Sequence, residues 1–88
     1  MTNNEFRHWL NGFFLLSGED TTLNVKQLYV IRNHLNLVQE VEGQLDHLNA
    51  AFLKRISEIL ESSEKDDPEI MSLLSQELRI HLQTALSD

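Results

Sequence analysis

Apolar residues recur at three- and four-residue steps near the start of the chain, which predicts an amphipathic helix over about residues 3–16. The stripe consists of Phe6, Trp9, Leu10 and Phe13. Thr2 and Glu5 have the spacing of a capping box at its beginning, and Gly18 suits the left-handed position beyond its end. We therefore expect the first helix to be well bounded at both ends.

Three residues depart from this simple stripe. Gly12 lies inside the predicted helix, where glycine costs about 1 kcal/mol relative to alanine, so we expect a close backbone contact there. Phe14 and Leu16 widen the apolar stripe. Because Phe14 lies off the main line, it is a candidate to face a second subunit.

A second helix is predicted from Asn24, which forms another capping box with Gln27. Its apolar stripe consists of Leu28, Ile31, Leu35 and Val38. Tyr29 and Leu37 lie beside that stripe and are candidates to extend it. The short polar connection of residues 19–22 predicts that the first two helices are antiparallel neighbours.

The apolar pattern continues past Val38 through Val41 to Leu60, so the second helix is predicted over 24–62 with a bend or a break near Gly43. No proline or turn cluster enforces a break, and the sequence therefore favours one bent helix. Unbroken, it measures roughly 58 Å, which favours an intertwined oligomer. A break at Gly43 suits a monomer instead.

Residues 61–67 are polar and charged and predict a loop. Asp67, Pro68 and Glu69 then form a helix start, with a cap, a first-turn proline and a first-turn acid. The last helix is predicted over 68–86, with one apolar face of Ile70, Met71, Leu74, Leu78, Leu82 and Ala85. The fold class is thus all-α, a self-associating bundle of three to four helices in a single domain, 1–88.

Composition narrows the partners of this domain. The chain has 88 residues, no cysteine and a net charge of −7, which excludes a disulfide framework and disfavours nucleic acid and anionic membranes. The longest apolar run, 13–16, is too short to span a bilayer, and no basic leader precedes it. We expect a soluble cytoplasmic protein, whose acidity serves either solubility or mimicry of another acidic ligand.

The residues that usually carry chemistry are not arranged for it. The four histidines fall on different predicted segments without an established zinc spacing. No serine lies in a nucleophile elbow, and no glycine-rich phosphate loop is present. The sequence therefore predicts a protein that is not an enzyme and has no metal or other cofactor.

Two charged sets are candidate binding sites. The first, a candidate docking patch for a protein partner, is the acidic cluster of Glu61, Glu64, Asp66, Asp67 and Glu69. The second is a candidate anion site formed by Arg7, Lys26 and Arg32, if these residues converge near the helical hairpin. The aromatic residues of the first helix are interpreted as core, with a ligand pocket as the alternative. A buried Trp9 indole needs a hydrogen-bond partner, for which His34 and a backbone carbonyl of the second helix are candidates.

Residues 6–38 resemble small proteins of tailed phages and prophages. These carry a Phe-x-x-Trp-Leu-x-Gly-Phe helix followed by a Gln-Leu-x-x-Ile-x-x-His-Leu-x-Leu-Val helix. The matching residues here are Phe6, Trp9, Leu10, Gly12, Phe13, Gln27, Leu28, Ile31, His34, Leu35, Leu37 and Val38. The resemblance implies a fold-specifying hairpin over 3–42, a variable part over 43–88, and a phage accessory protein that acts in the host bacterial cytoplasm.

The preferred functional hypothesis is therefore a non-catalytic phage protein that binds a host or phage protein and inhibits a defence or regulatory system. One alternative is a structural or assembly component of the phage particle. Another is an oligomer that sequesters a small anionic ligand such as a nucleotide.

Overall fold

The fold is an all-α bundle, seen in a computed structural model that describes residues 1–18 and 22–87. The predicted connection of 19–22 falls largely outside these residues. Within them there is no strand, and the elements are α1 (Asn3–Ser17), α2 (Val25–Glu42), α3 (His47–Leu60), a 3₁₀ helix (Ser63–Asp66) and α4 (Pro68–Ser87). The predicted fold class is confirmed.

The first two helices begin at the predicted capping boxes. The Glu5 N–H donates to the Thr2 hydroxyl at 3.1 Å, and the Thr2 N–H donates to the Glu5 carboxylate at 2.9 Å. Asn24 and Gln27 make the same reciprocal pair, with both distances 2.9 Å. These four contacts satisfy backbone donors that have no partner inside a helix.

The preference for one continuous helix over 24–62 is wrong, because the chain breaks at Gly43. This glycine has φ +84°, a left-handed conformation that a side chain disfavours, and its N–H donates to Gln39 O at 2.8 Å. Asp46 then starts α3 by accepting a hydrogen bond from the Asn49 N–H at 2.9 Å. The left-handed glycine and the aspartate cap together reverse the chain direction.

The region predicted as a loop, 61–67, contains a short 3₁₀ helix. The expected start of α4 is confirmed, since the Asp67 carboxylate accepts a hydrogen bond from the Glu69 N–H at 3.0 Å and Pro68 is the first helical residue.

Helices α1 and α2 are antiparallel neighbours, as predicted. The Asn3 N–H at the start of α1 donates to Glu42 at the end of α2, at 2.9 Å. Midway along, the Trp9 and His34 rings stack with centroids 4.0 Å apart. Helix α4 covers another side of α1, and α3 folds back beside α2.

One hydrophobic core joins all four α-helices. Its buried members from α1, α2 and the segment before α2 are Phe6, Leu10, Phe14, Leu23, Leu28, Ile31, Leu35 and Val38. Those from α3 and α4 are Phe52, Ile56, Ile59, Leu60, Met71, Leu74, Leu78 and Leu82. The predicted core residues Trp9 and Phe13 are only partly buried and pack against this cluster, and His34 is partly exposed.

Several expectations about individual residues are wrong. A Cβ added at Gly12 meets nothing within 4 Å, so this glycine makes no close backbone contact in the monomer. Phe14 is buried within its own chain instead of facing a second subunit. The residues expected to extend the apolar stripes are exposed instead: Leu16, Tyr29, Leu37 and Val41.

A buried polar contact ties α4 to the segment before α2. The Ser75 hydroxyl accepts a hydrogen bond from the Leu23 N–H at 2.8 Å and donates to Met71 O at 2.7 Å. Both Ser75 and Leu23 are almost inaccessible to solvent. This contact satisfies a backbone donor that belongs to no helix.

Candidate protein-binding surfaces

A groove of about 830 Å³ runs between α1 and α4. We call it the α1–α4 groove, and it is lined by Asn11, Phe14, Leu15, Gln76, Arg79, Ile80, Gln83 and Thr84. Leu15 is 71% exposed and Ile80 is 63% exposed. Two large aliphatic side chains therefore line one concave surface and remain in contact with water.

The groove owes this exposure to helical spacing. Leu15 directly follows the buried Phe14, and it is turned roughly 100° around α1 from the core. Ile80 is two residues from both Leu78 and Leu82, so it is turned roughly 160° around α4 from these buried residues. Neither exposed residue belongs to the apolar stripe that folds its helix.

Arg79 occupies part of the groove and is held by its own chain. Its guanidinium carbon lies 5.0 Å from the centre of the Phe14 ring, and Nη2 lies 3.5 Å from Gly18 O. A cation over an aromatic face is attracted by the ring's negative charge density. The rest of the rim consists of neutral amide and hydroxyl side chains, which donate and accept hydrogen bonds.

A second apolar surface lies on the α1–α2 hairpin. We call it the hairpin face and define it by Trp9, Gly12, Val30, His34, Leu37 and Val41. The four α2 residues are spaced by four, three and four, so they form one stripe along the helix. Val30, Leu37 and Val41 are exposed.

His34 joins the two helices of the hairpin face by stacking, not by bonding the Trp9 indole as expected. The ring planes are 13° apart, and His34 Nδ1 lies 2.8 Å from Val30 O, which a proton on that nitrogen would bridge. The stacked rings make a flat patch between α1 and the exposed stripe of α2.

Polar side chains form a network at the end of the hairpin where α1 begins and α2 ends, beside the Gly43 turn. Asn49 is fully buried, and its amide donates to Asn3 O at 3.2 Å and to Asn3 Oδ1 at 2.9 Å. Asn3 Oδ1 also accepts a hydrogen bond from the Asp46 N–H, and Arg7 forms an ion pair with the Asp46 carboxylate. These contacts fix the start of α1 against the start of α3.

The candidate acidic cluster follows the outside of the 3₁₀ helix and the first turn of α4. Glu61, Asp66, Asp67 and Glu69 are exposed, and Glu64 lies within the 3₁₀ helix. Asp67 also caps α4. These four exposed carboxylates thus form a solvent-facing patch, in which Asp67 also has a structural role.

The three basic residues of the candidate anion site have separate surroundings. Arg7 is paired with Asp46 near the Gly43 turn, whereas Lys26 lies in the first turn of α2, at the other end of the hairpin. The Arg32 guanidinium carbon lies 4.9 Å above the Tyr29 ring. Within one chain, no contact among the described residues links the three side chains.

Within residues 1–18 and 22–87, no group of three or more histidine, aspartate or glutamate side chains is placed to hold a metal ion. The same residues contain no helix that is long and apolar enough to cross a membrane. Among the titratable groups of this part of the chain, Glu5 has a lowered pKa because its carboxylate accepts the Thr2 backbone N–H.

Comparison with protein-family models, with curated proteins and with solved structures finds no match to this chain. The resemblance of residues 6–38 to small phage proteins therefore stays a prediction.

Sequence reasoning missed the α1–α4 groove. Its signal was present in Leu15 and Ile80, two aliphatic residues that fit no core stripe. To predict that Leu15 and Ile80 line one groove, one must know which side of α1 is covered by α4. The spacing of residues within each helix does not give this information.

Proposed function

We propose that this chain acts by binding another protein through the α1–α4 groove. The observation that carries this proposal is the exposure of Leu15 and Ile80 in one concave surface. Fully burying a leucine or isoleucine side chain contributes about 1.5–3 kcal/mol. Since each is already about one-third buried, a partner covering both gains about 1–2 kcal/mol from each.

The shape of the groove suits an amphipathic helix of the partner. Residues 76–84 of α4 extend about 12 Å at 1.5 Å per residue, enough for two turns of a docked helix. Such a helix places apolar residues three and four positions apart against Leu15 and Ile80. Its flanking polar side chains meet Asn11 and Gln83 at the rim, where hydrogen bonds give specificity.

Charge favours a basic partner. The net charge of −7 and the exposed acidic cluster at the start of α4 attract cationic surfaces over long range. This attraction speeds association and weakens with salt, whereas the groove supplies the short-range contacts. The acidic cluster thus serves as a steering surface in this proposal.

The resemblance of residues 6–38 to phage proteins suggests where the partner is found. On that basis the chain works in the cytoplasm of an infected bacterium and inhibits a host defence or regulatory protein. A structural role in the phage particle is the alternative. Sequestration of an anion receives less support, because Arg7, Lys26 and Arg32 are held apart within the chain.

Adjacent leucines on α1 allow a matched test. Leu15 lines the groove, whereas Leu16 is 93% exposed and does not line it. Wild type, Leu15→Gln and Leu16→Gln would each be used to capture proteins from lysate of infected bacteria, with quantitative mass spectrometry. We expect a partner that is retained by wild type and Leu16→Gln and is lost with Leu15→Gln.

Circular dichroism of the three proteins serves as the control for folding, since both substitutions change exposed side chains. If the three proteins capture identical sets, the groove is not the binding surface and the proposal is wrong. Recovery of only phage structural proteins through the groove would favour the particle component over the inhibitor.

A further inference from the structure

We propose that the hairpin face binds a second copy of this chain, with the two α2 helices antiparallel across a twofold axis near Asn33. This surface is distinct from the α1–α4 groove, so the inference does not depend on the proposed function.

The first observation is a second apolar stripe on α2. The buried residues of this helix already provide the core contact, yet Val30, Leu37 and Val41 form an additional exposed line with His34. Spacings of four, three and four are those of a coiled-coil seam, in which each helix packs against another helix along its length. Within residues 1–18 and 22–87, the Trp9 ring of α1 stacks on His34, whereas Val30, Leu37 and Val41 remain exposed.

The second observation is the charge pattern beside the stripe. Lys26, Asn33 and Glu40 are spaced by seven residues, so they lie on one line along α2, and all three are exposed. Neither Lys26 nor Glu40 has an ion-pair partner in the described part of the chain.

This pattern selects a self-complementary, antiparallel partner. Because Lys26 and Glu40 are equally far from Asn33, antiparallel pairing about that residue places Lys26 next to Glu40 of the partner subunit. The twofold axis repeats the contact, giving two opposite-charge pairs. Parallel pairing would leave the two Lys26–Glu40 lines on opposite sides of the seam, so these charges would not pair with each other. The antiparallel alignment places His34 level with Arg32 of the partner subunit, between Val30 of the partner subunit and His34 of the partner subunit.

The third observation concerns Gly12. It lies one helical turn after Trp9 on α1, a Cβ added there would meet only open space, and a mid-helix glycine weakens the helix. Nothing within the monomer requires glycine at this position. Close approach of a second copy to the hairpin face gives it a role, because a glycine lets a neighbouring side chain approach the backbone.

Sedimentation velocity across a range of concentrations tests the proposal, and Trp9 adds an independent readout. It is the single tryptophan of the chain and lies on the hairpin face, so its fluorescence should change as the dimer forms. We expect wild type to dimerise reversibly. Leu37→Gln should be monomeric at concentrations where wild type is dimeric.

Leu73→Gln is the matched control, since Leu73 on α4 is 54% exposed and Leu37 is 50% exposed. It should dimerise as wild type does. A wild type that stays monomeric overturns the proposal, and so does a dimer that survives Leu37→Gln. If wild type is monomeric and Leu37→Gln abolishes binding of a different protein, the face has another occupant and the proposal is likewise wrong.

Charge reversal tests the antiparallel orientation. Lys26→Glu alone and Glu40→Lys alone should each raise the dimer dissociation constant about tenfold, because each converts two attractive pairs into repulsive ones. The double variant should return to near the wild-type value. If the double variant is weaker than either single variant, antiparallel pairing about Asn33 is refuted.

Discussion

Replacing Ser75 by alanine tests whether one buried hydroxyl holds the segment before α2 against α4. The Ser75 hydroxyl accepts the Leu23 N–H at 2.8 Å, and both residues are inaccessible to water. Alanine has the size to fit but cannot accept the hydrogen bond. The substitution therefore leaves the Leu23 N–H buried without a partner, and the fold should lose stability.

The magnitude follows from the groups involved. A buried donor without a partner costs about 1–3 kcal/mol. Met71 O loses the hydroxyl but keeps its helical hydrogen bond, so it adds little to this cost. Alanine also favours the helix by about 0.5 kcal/mol relative to serine. The free energy of unfolding should fall by about 1–2 kcal/mol in total.

Urea denaturation followed by circular dichroism measures this change. In a thermal melt, each kcal/mol should lower Tm by about 4–8 °C for a domain of this size. Ser72→Ala is the matched control on the same helix, because Ser72 is partly exposed and makes no side-chain hydrogen bond in the described residues. Its stability should stay within about 0.5 kcal/mol of wild type. Equal stability of the two serine variants would refute the structural role of Ser75.

Three further predictions concern the ends and the turn of the helical hairpin. In urea denaturation of dilute monomer, Gly43→Ala should lower the free energy of unfolding by about 1–2 kcal/mol, because a φ of +84° disfavours a side chain. Gly12→Ala should raise it by about 0.5–1 kcal/mol, because alanine favours the helix and the added Cβ meets nothing within 4 Å. The reverse order of stabilities would contradict both assignments. Asn49→Ala should cost about 1–3 kcal/mol in the same assay because it removes two hydrogen bonds from a buried amide to Asn3, and an unchanged midpoint would argue against these contacts. Glu5 has a lowered pKa in the folded chain. Its contribution to the stability of the fold is therefore present above its unfolded pKa and is lost as the pH falls through the lower, folded pKa. When the free energy of unfolding is measured at a series of pH values, wild type should be more stable than Glu5→Gln at neutral pH, and the two curves should converge in acid. Curves that stay parallel would contradict the lowered pKa.

The sequence determined the local structure of this protein because the signals involved are local. Capping boxes at Thr2 and Asn24 and the proline start at Pro68 act through residues two or three positions away, and all three appear where predicted. The apolar spacing likewise identified most of the buried core, since a helix must bury its apolar stripe to fold.

Only the tertiary structure decided how the long apolar stretch over 24–62 is divided. The break depends on Gly43 adopting a left-handed conformation, and the side chains that support the turn come from α1, through the Asn3–Asn49 contact and the Arg7–Asp46 pair. Residues in contact across about forty positions leave no periodic signal in the sequence.

The binding surfaces also depended on tertiary structure. The spacing of apolar residues predicted Leu37 and Val41 near a core stripe and left Leu15 and Ile80 outside any stripe. Spacing within one helix does not determine which of its sides the neighbouring helices cover. Packing α4 against α1 created the α1–α4 groove, and the α1–α2 hairpin left a second stripe of α2 facing solvent. Residue spacing therefore identifies the apolar positions of each helix, whereas the arrangement of the helices determines which of these side chains remain available to a partner.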